Sequence, residues 1–179
     1  MALAVVTTHA LVEEILDSWR QAIGGDLPGY RGHVYRTLNL CRGLAPSVDA
    51  DRIAVAAAFH DLGLWPESTL DYLPASVARA TDWLDRGGRA SWSREVALAI
   101  DLHHKLTPYR GAHKAFVEAF RRADLVDVSR GLYPAGLPRE FLRDVFTAFP
   151  DAGFRARVVR LVLGWAVTHP LRPLPVLRW

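Results

Sequence analysis

Apolar residues recur at intervals of three and four along almost the whole chain, and no segment alternates between apolar and polar with a period of two. This spacing is typical of amphipathic helices, so the sequence predicts an all-α fold with about seven or eight helices. Glycine and proline residues interrupt the pattern and mark the predicted helix ends. The predicted helices span about 8–23, 30–45, 51–62, 74–86, 93–105, 112–128, 139–149 and 153–168.

The size and composition of the chain indicate one domain. Its 179 residues are 50% hydrophobic, which is enough to close a single core. We therefore expect residues 1–179 to form one helical bundle, in which 170–179 is a proline-rich C-terminal tail that cannot continue a helix. The single cysteine, Cys41, excludes an intramolecular disulfide and the paired-cysteine spacings of structural zinc sites.

Charge and hydropathy argue against polymer or membrane partners. The net charge is +3, and the basic residues are mostly scattered arginines, so no nucleic-acid polymer is expected. The first residues lack the basic segment of an export signal, and the late apolar stretch VVRLVLGWAV is too short to cross a bilayer. These observations favour a cytoplasmic protein. The sequence carries no signal for an oligomeric state.

The histidine–aspartate pair at 60–61 is the first sign of chemistry. His60 follows Ile53 and Ala57 on the apolar stripe of its predicted helix, so it points inward, and Asp61 is its neighbour. Burial of an imidazole together with a carboxylate is costly unless something satisfies both, and a divalent cation would do so. The pair alone favours the alternative, a core histidine that is hydrogen-bonded to a neighbouring group.

Side chains of the metal-ligand type on other predicted helices favour a metal site over a hydrogen-bonded core histidine. His33 lies at the start of the second helix, His103 ends the apolar stripe of the fifth, and Asp124 lies within the apolar stripe of the sixth. Because several helices direct such side chains at one interior, the sequence predicts a metal site. The remaining histidines are predicted at surface or terminal positions: His9, His113 and His169.

The combination of His33, HDLG at 60–63 and ADLVD at 123–127 resembles the HD superfamily of metal-dependent phosphohydrolases. The resemblance implies a helical bundle of the HD type with one divalent metal ion at its centre. The implied ligands are His33, His60, Asp61 and Asp124. Asp127 competes for the last position, and the family's A-D-x-x-D form favours Asp124. Nitrogen and oxygen ligands leave manganese, iron, cobalt, nickel and zinc as candidate ions.

A second ion is the disfavoured alternative. The segment AIDLHHK resembles the family's I-x-x-H context for a ligand to a second metal, which puts His103 ahead of His104. A polar helix end beside Lys105 is the competing interpretation. Two-metal members also carry a histidine in an H-x-x-x-G-A-like context, where this chain has Ser76. A single ion is therefore predicted.

A metal ion held in this way can activate water for attack on phosphorus, which predicts hydrolysis of a small phosphate ester, with a nucleotide as the favoured substrate. The candidate catalytic residues are Asp61, which would orient the water, together with His103 and His104, the latter to stabilise or protonate the leaving group. Arg36, one turn beyond the first histidine, and Lys105 are candidates for binding substrate. Pocket walls are expected in the loops 65–73, 107–111 and 129–138.

Two other functions stay open. One is a diiron oxygenase resembling inositol oxygenase, which His103 and His104 keep open and Ser76 disfavours. The other is a non-catalytic HD module that binds a nucleotide or uses a metal only to hold its helices together. The intact set of motif residues disfavours this second alternative.

Overall fold

The computed structural model describes residues 3–172 and 174–178. All regular elements in this part of the chain are helical, so the predicted all-α fold is confirmed. The eight predicted helices are all present, and the first is divided at Trp19 into two. Within the same residues, no helix is both long and apolar enough to cross a membrane. The α-helices are α1 (Ala10–Ser18), α2 (Arg20–Ile23), α3 (Leu27–Leu44), α4 (Ala50–Phe59), α5 (Leu73–Arg86), α6 (Ser93–Leu102), α7 (Lys114–Val128), α8 (Arg139–Ala148) and α9 (Phe154–Thr168).

Two helix ends position the polar residues of interest. α3 begins at Leu27, earlier than the predicted start near residue 30, because Pro28 occupies its first turn and has the backbone angle that a helix start requires. α4 ends at Phe59, so His60 and Asp61 follow directly on its C-terminal end. Both residues therefore extend from the end of a buried helix into the centre of the protein.

α3 is the central helix of the bundle. It packs against α4, α7 and α8, and both α4 and α7 also pack against α6. Its apolar side chains are fully buried, among them Tyr30, Val34 and Leu38. Because water does not reach this helix along most of its length, any polar side chain on α3 needs a partner inside the protein.

The connection between α8 and α9 crosses α3 at very close range. A Cβ added at Gly32 would lie 2.9 Å from the carbonyl oxygen of Pro150, and one added at Gly29 would lie 3.0 Å from that of Ala152. Glycine is needed at both positions because no side chain fits between the two backbones. This close approach holds the part of α3 that precedes His33.

Residues 174–178 do not extend the last helix, in agreement with the proline pattern. They lie beside 104–106 instead, where the Leu106 N–H donates a hydrogen bond of 2.8 Å to the Arg178 carbonyl. The tail that the sequence predicts is therefore packed against the protein over these five residues. Pro173 and Trp179 lie outside the described residues.

Replacement of Gly32 by alanine tests the packing of α3. We expect Gly32→Ala to lower the free energy of unfolding by about 1–3 kcal/mol, because the added methyl group forces two backbones apart. Gly25→Ala is the matched control, since an added Cβ there has no atom within 4 Å. The control should change the free energy of unfolding by less than about 0.5 kcal/mol. Urea denaturation measures both values, and equal stability of the two variants would contradict the close packing.

Candidate metal centre

Four predicted ligands meet in the core. They are His33 on α3, His60 and Asp61 at the end of α4, and Asp124 on α7, and each is at most 5% exposed. His33 Nε2 lies 2.8 Å from His60 Nε2 and 3.4 Å from Asp61 Oδ2. Asp124 Oδ1 lies 3.7 Å from the first of these ring nitrogens and 3.8 Å from the second. Three separate segments of the chain thus place four metal-type ligands around one point.

The three fully buried histidines all direct the same ring atom at this cluster. In each ring Nδ1 contacts an oxygen that can only accept a hydrogen bond, so Nδ1 carries a proton and a neutral ring keeps its lone pair on Nε2. The acceptors are Asp127 Oδ2 for His33 at 2.6 Å, Ala57 O for His60 at 2.8 Å and Ile100 O for His103 at 2.6 Å. Partners of this kind fix the orientation of metal-binding histidines in proteins.

The histidine Nε2 atoms and the carboxylate oxygens at this cluster are mostly hydrogen-bond acceptors, and few donors lie between them. The Nε2 atoms of His33 and His60 face each other at 2.8 Å, with a carboxylate oxygen of Asp61 beside both. Among the described residues, the buried Nε2 of His103 has no hydrogen-bond partner. Acceptor atoms in a dry core repel one another unless a cation or a proton lies between them. This donor set of imidazole nitrogen and carboxylate oxygen fits manganese, iron, cobalt, nickel or zinc.

The proton affinities of these groups reflect the same crowding. Burial lowers the pKa of His33, but its contacts with the carboxylates of Asp127 and Asp61 outweigh burial and raise the pKa to about 9. Burial lowers the pKa of His60 to about 3 and raises that of Asp124 to about 6. At neutral pH, a proton on His33 therefore supplies part of the positive charge that a metal ion would supply.

Asp127 holds His33 from outside the cluster. Its carboxylate accepts the hydrogen bond from His33 Nδ1 and two more from the Arg36 guanidinium, at 2.5 and 3.1 Å. Burial opposes ionisation of Asp127, but these two partners hold its pKa well below the usual range. Asp127 therefore orients a ligand, whereas Asp124 faces the other ligands directly.

The structure contradicts the expectation that Arg36 binds a substrate phosphate. The side chain is fully buried, and its guanidinium donates to Asp127, to the Phe149 carbonyl at 3.0 Å and to the Pro150 carbonyl at 3.2 Å. All three of its nitrogens thus donate inside the protein. Arg36 stabilises Asp127 and joins α3 to the connection between α8 and α9.

A second group of ligand-type side chains shares Asp61 with the first. Atoms of Asp61, His103 and His104 lie within 4.8 Å of one another. Asp61 directs Oδ1 at His103 Nε2, 3.4 Å away, while its Oδ2 faces the first group. Ser76, which stands where two-metal members carry a histidine, is buried and its hydroxyl accepts the Gly63 N–H at 2.9 Å. Ser76 thus fixes the turn after the histidine–aspartate pair, and His104 occupies a place in the second group.

Tyr72, just before α5, is a polar member of the site that sequence reasoning missed. Its hydroxyl donates to Asp61 Oδ1 at 2.5 Å and lies 3.2 Å from His104 Nε2. Burial and the Asp61 carboxylate raise the pKa of Tyr72 well above its usual value, so the hydroxyl keeps its proton. The residue lies in the loop 65–73, which was predicted as a pocket wall without any readable motif.

A cavity of about 210 Å³ opens beside this centre. His103, His104 and Asp124 lie at its inner end, and Lys105 also lines it. Of the residues predicted to act on substrate, these three basic ones share the cavity, whereas Arg36 does not. The other histidines lie elsewhere, with His113 and His169 exposed and His9 paired with Asp51 at 3.3 Å.

The fold and the centre define an all-helical protein with a buried histidine and aspartate cluster that could hold a divalent metal. The family model of the HD domain matches residues 30–136, which contain all four predicted ligands. The chain therefore belongs to the HD domain family. Comparison with curated proteins and with solved structures gave no significant match.

Metal binding at this centre should release a proton. Because the pKa of His33 is about 9, the ring is protonated at neutral pH and must lose that proton before Nε2 can bind a cation. We expect release of about one proton per ion at pH 7 and an apparent affinity that rises about tenfold per pH unit from about 7 to 9. Calorimetric titration with Mn²⁺ in buffers of different ionisation enthalpy measures the release. A constant affinity across this pH range would contradict the loss of a proton from His33 on metal binding.

Proposed function

We propose that this protein is a metal-dependent phosphohydrolase that cleaves a small phosphate monoester. The observation that carries the proposal is the buried cluster of histidine Nε2 atoms and carboxylate oxygens, of which Asp124 also lines the adjacent cavity. Members of the HD domain family are commonly metal-dependent hydrolases, which supports the same reaction class. The reaction adds water across the P–O ester bond and releases an alcohol and orthophosphate.

The residues present fit a resident divalent cation. His33, His60, Asp61 and Asp124 would hold it, because their ligand atoms lie close together and the Nδ1 atoms of both histidines are already hydrogen-bonded. When bound, the cation would supply a Lewis acid that lowers the pKa of water and neutralises charge on phosphate oxygens. The same cation would relieve the repulsion among the four ligands.

The chain's own polar groups would position the reactants. Tyr72 holds Asp61 in place through the hydrogen bond to Oδ1, so that Oδ2 faces His33 and His60. Lys105 and His104 line the cavity next to the centre, where the phosphate and the leaving group would lie. A lysine ammonium there attracts phosphate oxygens, and an imidazole can exchange a proton with the departing alcohol.

Metal content and phosphoesterase activity test the proposal. We expect protein purified without chelator to contain a divalent metal and, with manganese, cobalt or iron, to hydrolyse at least one member of a phosphate monoester panel. Asp124→Asn keeps the side-chain shape but removes a charged ligand, so metal affinity or activity should fall by about 100-fold. Asp144→Asn is the matched control because Asp144 is exposed on α8.

Two outcomes would contradict a hydrolase. Metal-loaded protein that cleaves no ester would exclude the reaction, and nucleotide binding that survives unchanged in Asp124→Asn would indicate a binding module. The shared Asp61 between two ligand groups favours a diiron oxygenase as the second candidate. Two irons per chain with substrate-dependent oxygen uptake and no hydrolysis would establish that alternative.

Tyr72→Phe should separate positioning from metal binding. Loss of the hydroxyl leaves Asp61 Oδ1 without its donor from this residue, and we expect kcat to fall by about tenfold with little change in metal content. Tyr133→Phe is the control, since Tyr133 is 43% exposed. Steady-state kinetics and metal analysis of both variants measure kcat and metal content. Unchanged kcat in Tyr72→Phe would mean that the hydrogen bond has no part in the reaction.

A further inference from the structure

The segment 174–178 packs beside the candidate centre. Its backbone pairs with the residues that follow the second ligand group: the Leu106 N–H donates to the Arg178 carbonyl at 2.8 Å, and the Arg178 N–H contacts the His104 carbonyl at 3.5 Å. The Arg178 guanidinium lies 3.2 Å from Asp101 on α6. The segment is thus attached directly to the stretch that carries His104.

Apolar packing provides a second attachment. Val176 is 8% exposed and belongs to a small apolar cluster that is separate from the main core. The other buried members of that cluster are Leu64, Leu70, Tyr72 and Leu73. Tyr72 is also the residue whose hydroxyl donates to Asp61, so one side chain connects the segment to a ligand. Attachment through both backbone and side chains fixes the residue between them, Leu177.

Leu177 lines the cavity beside the centre, together with His104, Lys105 and Asp124. The inner end of the cavity is polar and mostly buried, whereas its outer part is open to solvent and is formed by Leu177 with the exposed Leu106, Leu125 and Val128. The volume of about 210 Å³ is below the roughly 300–1,000 Å³ of pockets that enclose drug-sized ligands. A phosphate group and a small organic group would fill it.

We propose that Leu177 is a specificity-determining residue that narrows the outer side of this cavity and favours phosphate monoesters with a compact organic group. The inference rests on the proposed function and specifies its substrate class. With the phosphate at the inner end, the organic group would lie against Leu177, Leu125 and Val128. A nucleotide carries a ribose and a base beyond its phosphate, so it would require displacement of 174–178.

Two unreactive phosphonates test the size limit without any need for turnover. Methylphosphonate and 1-naphthylmethylphosphonate carry the same acid group and differ in the organic part. Their binding to Mn²⁺-loaded protein is measured by calorimetry for the wild type, Leu177→Ala and Leu177→Phe. Leu171→Ala is the matched control, because Leu171 is fully exposed and does not line the cavity.

We expect Leu177→Ala to bind the naphthyl compound about tenfold more tightly than the wild type does, with methylphosphonate unchanged, because a large apolar group gains the space of the removed methyl groups. Leu177→Phe should bind the naphthyl compound more weakly than the wild type does. Leu171→Ala should change neither affinity. The same ratio of the two affinities in all four proteins would overturn the proposal, as would failure of the wild type to bind methylphosphonate.

Hydrolysis of glycerol phosphate and adenosine monophosphate by the same proteins separates this inference from the proposed function. If Leu177 sets the size limit in a hydrolase, Leu177→Ala raises kcat/KM for the nucleotide relative to glycerol phosphate. If the phosphonates show the expected selectivity but no ester is cleaved, the hydrolase proposal fails and the size limit stands. A wild type that prefers the nucleotide would overturn the size limit and leave the hydrolase proposal intact.

Discussion

The crowding of ligand-type nitrogen and oxygen atoms at the centre is the constraint on which the rest of the structure depends. His33 and His60 direct their Nε2 atoms at each other across 2.8 Å, beside the Asp61 carboxylate, in a core from which water is excluded, so a proton on His33 or a metal ion must lie among these atoms. Such an arrangement is unfavourable by itself, and a folded protein keeps it only where other interactions fix each group. The interactions that fix these groups therefore explain much of the architecture around α3.

The strongest of these interactions lie one layer outside the ligands. Asp127 binds His33 Nδ1 and is itself held by Arg36, whose remaining donors reach the connection between α8 and α9. The close approach of that connection at Gly32 belongs to the same arrangement. An unpaired charge is costly in a dry core, so the loss of either Arg36 or Asp127 would destabilise the other. Asp127 also accepts the hydrogen bond that orients His33. A ligand, a buried ion pair and a backbone contact are thus mutually dependent.

The sequence predicts those parts of this arrangement that follow from periodicity and motif. The helix pattern locates the eight helical segments, and the HD motif selects His33, His60, Asp61 and Asp124. Arg36 shows where such reasoning ends, since its position one turn after His33 places it near the site but does not reveal which way the side chain points. Its partners lie 91 to 114 positions further along the chain.

Tyr72 and Leu177 were beyond sequence reasoning for a related reason. Each lies in a segment without helical periodicity, and each reaches the site through contacts with residues distant in sequence. A pattern of apolar positions predicts which side of a helix is buried, but it carries no information about a loop or a tail that packs on tertiary contacts alone. The tail 170–179 was accordingly predicted as non-helical, without any indication that part of it lines a cavity.

The two ends of the cavity are therefore controlled by different parts of the chain. The inner end is formed by His103 and His104 at the end of α6 and by Asp124 on α7, which packs against α3 and α6, so a change there alters the candidate centre itself. The outer end depends on a segment of five described residues, held by a backbone pair, one ion pair and Val176. Local openings of such short segments cost less free energy than global unfolding. Under the proposed function, the range of accepted substrates can thus change through residues 174–178 while the ligands and the fold around them stay the same.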